Sequence, residues 1–191
     1  MDWESRVTTA GAFVWNDGRL VFMVGPTRSG DRLGVVRLGG HREEGESSLE
    51  CALREVKEEA SLAAELLRPP VTYYAGTPLP LPGRPLPTID WPGATPPVLV
   101  TERADGSLAA IYLAVSHGQP APAAEAEGLL LPDRAWLSRL CARPYTLREY
   151  EAGGGRAILR MPMSPVLPLE PSPQLRLFAR ILTVHTDLVP A

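Results

Sequence analysis

The stretch Ser47–Ala60 constrains the fold most, because several independent signals in it predict one amphipathic helix. Ser47 is a residue type that favours the N-cap, and Glu50 stands three positions later, which completes a capping box. Apolar residues recur at helical spacing and form one stripe, made of Leu49, Ala52, Leu53, Val56 and Ala60. The chain must therefore bury this stripe against other elements.

Three glutamates of this helix, Glu55, Glu58 and Glu59, stand at positions i, i+3 and i+4 and share one helix face. Carboxylates this close repel each other unless a cation lies among them, and oxygen ligands select hard cations such as Mg²⁺ or Mn²⁺. We expect the apolar stripe to fall mainly on the other side of the helix. The helix would then present the carboxylates from a rigid support.

The charge of the chain is concentrated around this helix. Gly40–Leu62 holds seven acidic and three basic residues, a net charge of -4, whereas the whole chain carries -3. The remainder is therefore close to neutral, which gives no bulk electrostatic reason to expect binding of a nucleic acid polymer. A neutral body with one acidic patch favours a cation site.

The rest of the chain predicts strands and two further helices. Strands are expected at Val7–Trp15, Arg19–Val24, Val35–Leu38, Val71–Tyr74, Val98–Glu102 and Ser107–Val115, and helices at Leu131–Cys141 and at about 173–185. This mixture predicts an α/β (α+β) fold with helices packed on a mixed sheet. A chain of 191 residues suits one domain, 1–191.

A proline-rich insertion at about 76–97 interrupts this pattern. Ten of the 21 prolines lie between Pro69 and Pro97. Prolines lack a backbone donor, so Thr77–Pro87 is not expected to form a regular strand or helix. The insertion is either a stiff surface loop or a lid beside a substrate pocket.

The residues around the predicted helix resemble the signature of the Nudix hydrolase family. That signature is a glycine, five residues, a glutamate, seven residues, arginine-glutamate, an aliphatic residue, any residue, two glutamates, any residue, glycine and an aliphatic residue. The chain matches it at Gly40, Glu46, Arg54, Glu55, Val56, Glu58, Glu59 and Leu62. It departs once, at Ser61, where a left-handed helix end would cost serine about 1 kcal/mol relative to glycine.

The resemblance implies a Nudix fold, in which helices sandwich a mixed β-sheet. It implies hydrolysis of a diphosphate linkage in a nucleoside diphosphate derivative, with Mg²⁺ or Mn²⁺ as cofactor and a metal-activated water as nucleophile. Glu55, Glu58 and Glu59 would bind the metal, and Glu46 would assist from the edge of the site. Arg54 would orient the carboxylates, and Gly40 would allow a tight loop beside the cofactor.

Two questions about this chemistry stay open at the level of sequence. The general base is either a glutamate of the signature or one on a later loop, Glu125 or Glu127, which otherwise are solvated loop residues. The alternative function is a Nudix-fold module that binds a nucleotide metabolite or a partner with weak or no turnover.

Other residues carry two interpretations each. His41 and one of Arg28, Arg32 and Arg37 either contact a substrate phosphate or lie on the solvated surface. Tyr73, Tyr74 and Trp91 either stack on a base or pack within the protein, and Trp136 is expected in the core. The C-terminal helix either serves a homodimer or packs in the core.

The two cysteines, Cys51 and Cys141, are too few for a disulfide framework or a zinc site. They suit a reducing cytoplasm. The N-terminal residues lack the pattern of a signal peptide, and no apolar run approaches ~20 residues, so we expect no membrane span.

Overall fold

The computed structural model describes residues 3–80 and 84–188. A one-turn 3₁₀ helix at Glu4–Arg6 precedes the first strand. The strands are β1 Val7–Asn16, β2 Arg19–Pro26, β3 Leu33–His41, β4 Ala64–Leu67, β5 Thr72–Ala75, β6 Thr88–Ile89, β7 Leu99–Glu102, β8 Leu108–Ser116, β9 Gly128–Leu131, β10 Tyr145–Thr146, β11 Arg156–Leu159 and β12 Pro168–Pro171. The helices are α1 Ser48–Ala60, α2 Arg134–Ala142, α3 Leu147–Ala152 and α4 Pro173–Val184.

The strands form a mixed sheet with β1 at its centre. The main order is β10-β12-β3-β2-β1-β8-β7-β5-β6, and β9 adds to β2 while β4 adds to β8. β1 runs parallel to β8 and antiparallel to both β2 and β3. The end of β3 therefore lies beside the centre of the sheet, where it leads into α1.

Helices cover both faces of this sheet. On one face, Ala52, Val56 and Ala60 of α1 pack in a core with residues of β1, β3 and β8. On the other face, α2 and α4 cover a second core, in which the rings of Phe178 and Phe13 stack with centroids 3.9 Å apart. The predicted α+β class, a mixed sheet between helices, is confirmed.

The best-predicted elements are those with strong local signals. The hairpin β1–β2 and α1 lie where the sequence predicts them, and α1 has the predicted capping box between Ser47 and Glu50. The helix predicted at Leu131–Cys141 begins later, because Leu131 belongs to β9 and Asp133 is the N-cap. The strands β4, β6 and β9–β12 and the helix α3 were not predicted, since all are too short to show a clear period.

The proline-rich insertion contains little regular structure, whereas the C-terminal segment forms the helix α4. Within the described part of the insertion at about 76–97, the regular structure is the two-residue strand β6, and 81–83 lie outside the described residues. Five apolar residues of α4 are buried, which supports core packing for that helix: Leu175, Leu177, Phe178, Ile181 and Leu182. In the part of the chain that the structure describes, no helix is long and apolar enough to cross a membrane.

Candidate functional site

Three carboxylates converge where α1 meets the end of β3. Glu55 and Glu59 come from α1 and Glu125 from the loop before β9, and one oxygen of each lies within 4.8 Å of the others. Glu55 and Glu59 are buried, with 6% and 1% of their surface exposed, while Glu125 is exposed. The cluster thus opens to solvent on the side of Glu125.

The position of Glu55 and Glu59 corrects the expected arrangement of α1. The sequence predicts that the carboxylates lie mainly on the other side of α1 from the apolar stripe, but Glu55 and Glu59 are buried together with Ala52 and Val56. The other apolar residues of the predicted stripe, Leu49 and Leu53, are only half-buried. The helix therefore turns the two glutamates toward the sheet.

Two glycines of β3 lie against these buried carboxylates. The backbone N–H of Gly39 donates to Glu59 Oε2 at 2.7 Å. A Cβ atom at Gly40 would lie under 3.0 Å from all three carboxyl atoms of Glu55. Gly40 thus lies within a strand and gives space to Glu55, rather than forming a tight loop.

Arg54 links the carboxylates on the outer side of α1. Its Nε and Nη2 donate to the two oxygens of Glu46 at 2.8 and 3.0 Å, and its Nη1 donates to Glu55 at 2.9 Å and to Glu58 at 3.0 Å. Glu58 is half-exposed and lies outside the close cluster of Glu55, Glu59 and Glu125. Arg54 therefore holds Glu46 and Glu58 beside Glu55, as an orienting residue would.

The loop that carries Glu125 is fixed to the C-terminal end of α1. The backbone N–H groups of Ala121 and Ala123 donate to the carbonyls of Ala60 and Glu59 at 2.9 and 3.0 Å. These hydrogen bonds bring Glu125 to the cluster although it lies 66 positions after Glu59 in the sequence. Of the two loop candidates for the base, Glu125 lines the carboxylate cleft, whereas Glu127 lines a neighbouring groove.

Burial and ion pairing shift the pKa values of the carboxyl groups of the site in opposite directions. Burial raises the pKa of Glu59 to about 8, against the hydrogen bond from Gly39. Burial also raises the pKa of Glu55, and Arg54 opposes that shift. The hydrogen bonds from Arg54 lower the pKa of Glu46 to about 2. Burial therefore disfavours the charged forms of Glu55 and Glu59, whereas Arg54 favours the charged form of Glu46.

A divalent cation fits this set of residues. Glu59 Oε1 is buried and has no hydrogen-bond partner among the described residues. An unpaired buried carboxylate oxygen is costly unless a cation or ordered water satisfies it. Oxygen donors from three carboxylates suit Mg²⁺ or Mn²⁺.

A cleft of about 380 Å³ lies above the cluster. Its lining includes Gly40, Arg54, Glu55, Glu58, Glu59 and Glu125, together with His41. His41 is exposed at the rim, so its position is compatible with contact to a substrate phosphate.

Of the three arginines that precede the signature, Arg37 lies neither on the solvated surface nor at the cleft, so both interpretations given for it are wrong. Arg37 is buried beneath Gly11 and Gly39 and donates to the carbonyls of Ala10 and Leu38, so it is neither solvated nor at the cleft. Burial lowers its pKa to about 10. Arg32 pairs with acidic residues at the surface, and Arg28 lines the groove next to the cleft.

The aromatic candidates pack within the protein. The hydroxyl of Tyr73 bonds to His185, and Trp3 stacks on Trp91 with centroids 6.2 Å apart and also contacts Tyr74. Trp136 is buried in the core, as predicted.

One residue that supports the site was missed by sequence reasoning. Glu4 accepts hydrogen bonds from the backbone N–H and the hydroxyl of Ser48, at 2.7 and 2.8 Å, and so caps the first turn of α1. Arg42 donates to the Glu4 carbonyl and to the carbonyl of Glu46. No local signal could reveal this contact, because Glu4 and Ser48 are 44 positions apart.

A family model described as the NUDIX domain matches residues 5–139. Among curated proteins, none matches the chain.

Solved structures with the same fold share little sequence with this chain. The solution structure of the E. coli ORF135 protein is 15% identical, covers 96% of this chain and 92% of its own, and has a TM-score of 0.51. A NUDIX-family hydrolase from Clostridium perfringens is 19% identical over 69% of this chain and 83% of its own, with a TM-score of 0.49.

The family model covers well over half of the chain, and the structure supplies the mixed sheet and the helix that carries the signature. The chain therefore belongs to the Nudix hydrolase family, whose members generally cleave pyrophosphate linkages in nucleoside diphosphate derivatives.

Proposed function

We infer that this protein is a Mg²⁺-dependent hydrolase of the diphosphate linkage in a nucleoside diphosphate derivative. The observation that carries the inference is the convergence of Glu55, Glu59 and Glu125, with one oxygen of Glu59 buried and unpaired among the described residues. A diphosphate is densely anionic, and three carboxylates alone would repel it. The site is therefore suited to this substrate only together with a cation.

Each residue of the site has a role that follows from its contacts. Glu55, Glu59 and Glu125 would hold Mg²⁺, with Mn²⁺ as a substitute, and Glu58 would contribute from the edge of the cleft. A bound Mg²⁺ would neutralise the diphosphate and lower the pKa of a water molecule. Arg54 keeps Glu55 and Glu58 in place and is itself held by Glu46.

The reaction is a displacement at phosphorus. The oxygen of a water molecule forms a bond to one phosphorus while the anhydride bond to the bridging oxygen breaks, and the second phosphate leaves with that oxygen. Glu125 offers one carboxylate oxygen to the cluster and faces solvent, so its other oxygen would accept the proton of the water. Glu127 is the second candidate for this proton but lies in the neighbouring groove.

The test is turnover of a diphosphate panel with Mg²⁺, made of nucleoside triphosphates, ADP-ribose, NADH, dinucleoside polyphosphates and coenzyme A. We expect release of phosphate or of a nucleoside monophosphate, and a loss of kcat of at least ~100-fold in Glu59→Gln. Glu65→Gln is the matched control, because Glu65 is an exposed glutamate of β4 outside the cleft.

The proposal fails if the wild-type protein turns over none of these substrates, or if Glu59→Gln retains full activity. Tight binding of a nucleotide without turnover would instead support the alternative, a module that binds a nucleotide metabolite.

A further inference from the structure

Arg37 of β3 is a buried cation that the proposed mechanism does not use. Only 8% of its surface is exposed, and none of the ion pairs among residues 3–80 and 84–188 involves it. Burying a charge without an opposite charge in contact costs free energy. The presence of an arginine here therefore indicates a role other than stabilising the fold.

The guanidinium of Arg37 lies on the face of the sheet that α4 covers. Its Nε donates to Oε1 of Gln174 in α4 at 3.1 Å, and its Nη1 donates to the carbonyls of Leu38 and Ala10 at 3.1 and 3.3 Å. The amide of Gln174 is fixed in turn, because its Nε2 donates to Thr101 Oγ1 at 3.0 Å. The orientation of the guanidinium is therefore set by α4 and by the backbone of β1 and β3.

Two glycines that face each other across β1 and β3 leave the space that this guanidinium occupies. Gly11 and Gly39 are register partners. A Cβ atom at Gly11 would lie 2.2 Å from Arg37 Nη1, and one at Gly39 would lie 1.8 Å from it. Gly39 also has a φ of 143°, a conformation that favours glycine. The guanidinium therefore lies directly against the backbone of the two strands.

One peptide group connects Arg37 to the carboxylate cluster on the other face of the sheet. The carbonyl of the Leu38–Gly39 peptide accepts from Arg37 Nη1 at 3.1 Å, and its N–H donates to Glu59 Oε2 at 2.7 Å. Because the carbonyl and the N–H belong to one conjugated unit, a cation at the oxygen polarises the unit and strengthens the N–H as a donor. The positive charge of Arg37 thus acts on Glu59 through a single peptide group.

The charges of Arg37 and Glu59 attract each other across the strand. Burial lowers the pKa of Arg37, and the next largest influence on this pKa is Glu59, which raises it. Burial raises the pKa of Glu59, and Arg37 is among the groups that oppose this shift. The attraction favours the hydrogen bond that occupies Oε2 of Glu59, while Oε1 has no partner among the described residues and is left for a cation.

We propose that Arg37, oriented by Gln174, is a positioning residue that holds Glu59 in place for the cation through the Leu38–Gly39 peptide. Arg37 itself touches neither the cation nor the substrate. The proposal rests on the proposed function for the presence of the cation. It also gives α4, which lies beyond the residues 5–139 that the family model matches, a part in supporting the site.

The first test observes the hydrogen bond from Gly39 to Glu59 in metal-free protein. The amide proton of Gly39 is assigned by NMR in isotope-labelled protein with a chelator present. Arg37→Met keeps a long side chain and removes the cation. We expect this variant to move the Gly39 amide proton signal upfield, because a weaker hydrogen bond deshields the proton less.

The second test measures the affinity for Mn²⁺ by titration calorimetry. We expect Arg37→Met to weaken Mn²⁺ binding by about tenfold or more, the range for loss of an outer support of a metal ligand. Val35→Ala is the matched control in both tests, because Val35 is buried in the same core as α4, two positions before Arg37 on β3. Truncating Val35 disturbs the packing without removing a charge, so the Gly39 signal and the Mn²⁺ affinity should stay as in the wild-type protein.

The proposal is overturned if Arg37→Met leaves either the Gly39 signal or the Mn²⁺ affinity unchanged. It is also overturned if Val35→Ala has the same effects, because disturbed packing would then explain them. If Arg37→Met does not fold, Gln174→Leu takes its place, since it removes the acceptor of Arg37 Nε from a half-buried position of α4. An unmoved Gly39 signal in Gln174→Leu then overturns the proposal.

Neither readout requires turnover, so the two proposals fail in different ways. A protein that passes both tests but hydrolyses nothing contradicts the proposed function and leaves the role of Arg37 intact. A protein that hydrolyses a diphosphate, but whose Arg37→Met variant keeps the Gly39 signal and the Mn²⁺ affinity, supports the function and refutes the role of Arg37.

Discussion

At the scale of single residues, the site depends on two glycines of β3, one that leaves space for Glu55 and one that donates a hydrogen bond to Glu59. Gly40 belongs to the family signature, and the structure supplies the physical reason for a glycine there: any side chain would occupy the position of the Glu55 carboxylate. Gly39 contributes a backbone N–H to Glu59. The strand and the helix can therefore approach closely enough to bury both carboxylates.

The substitution Gly40→Ala tests this spatial role. We expect it to displace Glu55 and to weaken Mn²⁺ binding by about 10- to 100-fold, as loss of an orienting contact does at metal sites. Titration calorimetry with Mn²⁺ measures the affinity. Gly76→Ala is the control, because the nearest atom to a Cβ there is 3.5 Å away. Equal affinity in the two variants would contradict the role assigned to Gly40.

The raised pKa of Glu59 predicts how stability depends on pH without metal. The pKa is about 8 in the folded protein and about 4.5 ordinarily, so between these values the folded state retains a proton that the unfolded state has released. The contribution of Glu59 is therefore fully present below pH 4.5 and is lost as pH rises through 8. We expect it to amount to a few kcal/mol, and urea unfolding with a chelator at pH 5 to 8 measures it.

Glu59→Gln should remove this fall in the free energy of unfolding, because glutamine does not ionise. Mg²⁺ should restore stability at pH 8 in the wild-type protein and not in Glu59→Gln. Identical pH profiles for the two proteins would show that Glu59 does not carry the effect.

At the scale of elements, α1 is fixed at both ends. Its N-terminal end has two caps, the predicted Ser47–Glu50 box and Glu4 from the 3₁₀ helix. Its C-terminal end is held to the loop of Glu125 by the hydrogen bonds from Ala121 and Ala123. The orientation of the carboxylates therefore depends on segments far from α1 in sequence.

Glu4→Gln tests the distal N-terminal cap. The charge that faces the first turn of α1 is lost, and we expect the free energy of unfolding to fall by about 2 kcal/mol at pH 7, the range for a hydrogen bond to a charged group. Urea denaturation gives the value. Glu65→Gln should change it by less than about 0.5 kcal/mol, since it alters an exposed residue. A similar small change in both would mean that Glu4 does not stabilise α1.

Ser61 ends α1 in the left-handed conformation, with φ 56° and ψ 28°. The departure from the family signature therefore leaves the backbone geometry intact but strains a serine. We expect Ser61→Gly to raise the free energy of unfolding by about 1 kcal/mol, and Ser61→Ala to give no such gain. Thermal denaturation of the three proteins distinguishes these outcomes, and a destabilised glycine variant would refute the explanation.

At the scale of the whole molecule, two cores lie on the two faces of one sheet. α1 with its carboxylates covers one face, and α4 covers the other through Phe178. Because β1 contributes Phe13 to one core and Ala12 to the other, the two cores share a strand. We propose that residues 1–191 unfold as a single unit for this reason.

Phe178→Ala tests whether the two cores unfold together. Removing the ring that stacks on Phe13 should lower the free energy of unfolding by about 3–5 kcal/mol. Hydrogen exchange at the amides of α1 should accelerate by the amount that this loss of free energy of unfolding predicts, although α1 lies on the opposite face of the sheet. Loss of protection in α4 alone, with α1 unaffected, would indicate two independent units.

The elements of this protein that could be predicted from the sequence are those whose signals lie in neighbouring residues. The cap, the length of α1, the β1–β2 hairpin and the family signature all follow from residue types at fixed spacing along the chain. The signature also supplied Arg54, expected to orient the carboxylates, and Glu46, expected at the edge of the site, and the structure joins the two in an ion pair. Short strands such as β9 and β12 carry too few residues to show a period, and so they required the structure.

The sequence by itself determined that a capped helix would carry clustered glutamates, because periodicity and capping are properties of neighbouring residues. Only the tertiary structure decided which of them converge. Glu55 lies where Gly40 leaves space for its carboxylate, and Glu59 accepts the backbone N–H of Gly39. Glu58 remains at the edge, and Glu125 comes from a loop 66 positions after Glu59. Burial and proximity of this kind arise from contacts between distant segments, which spacing along the chain does not encode.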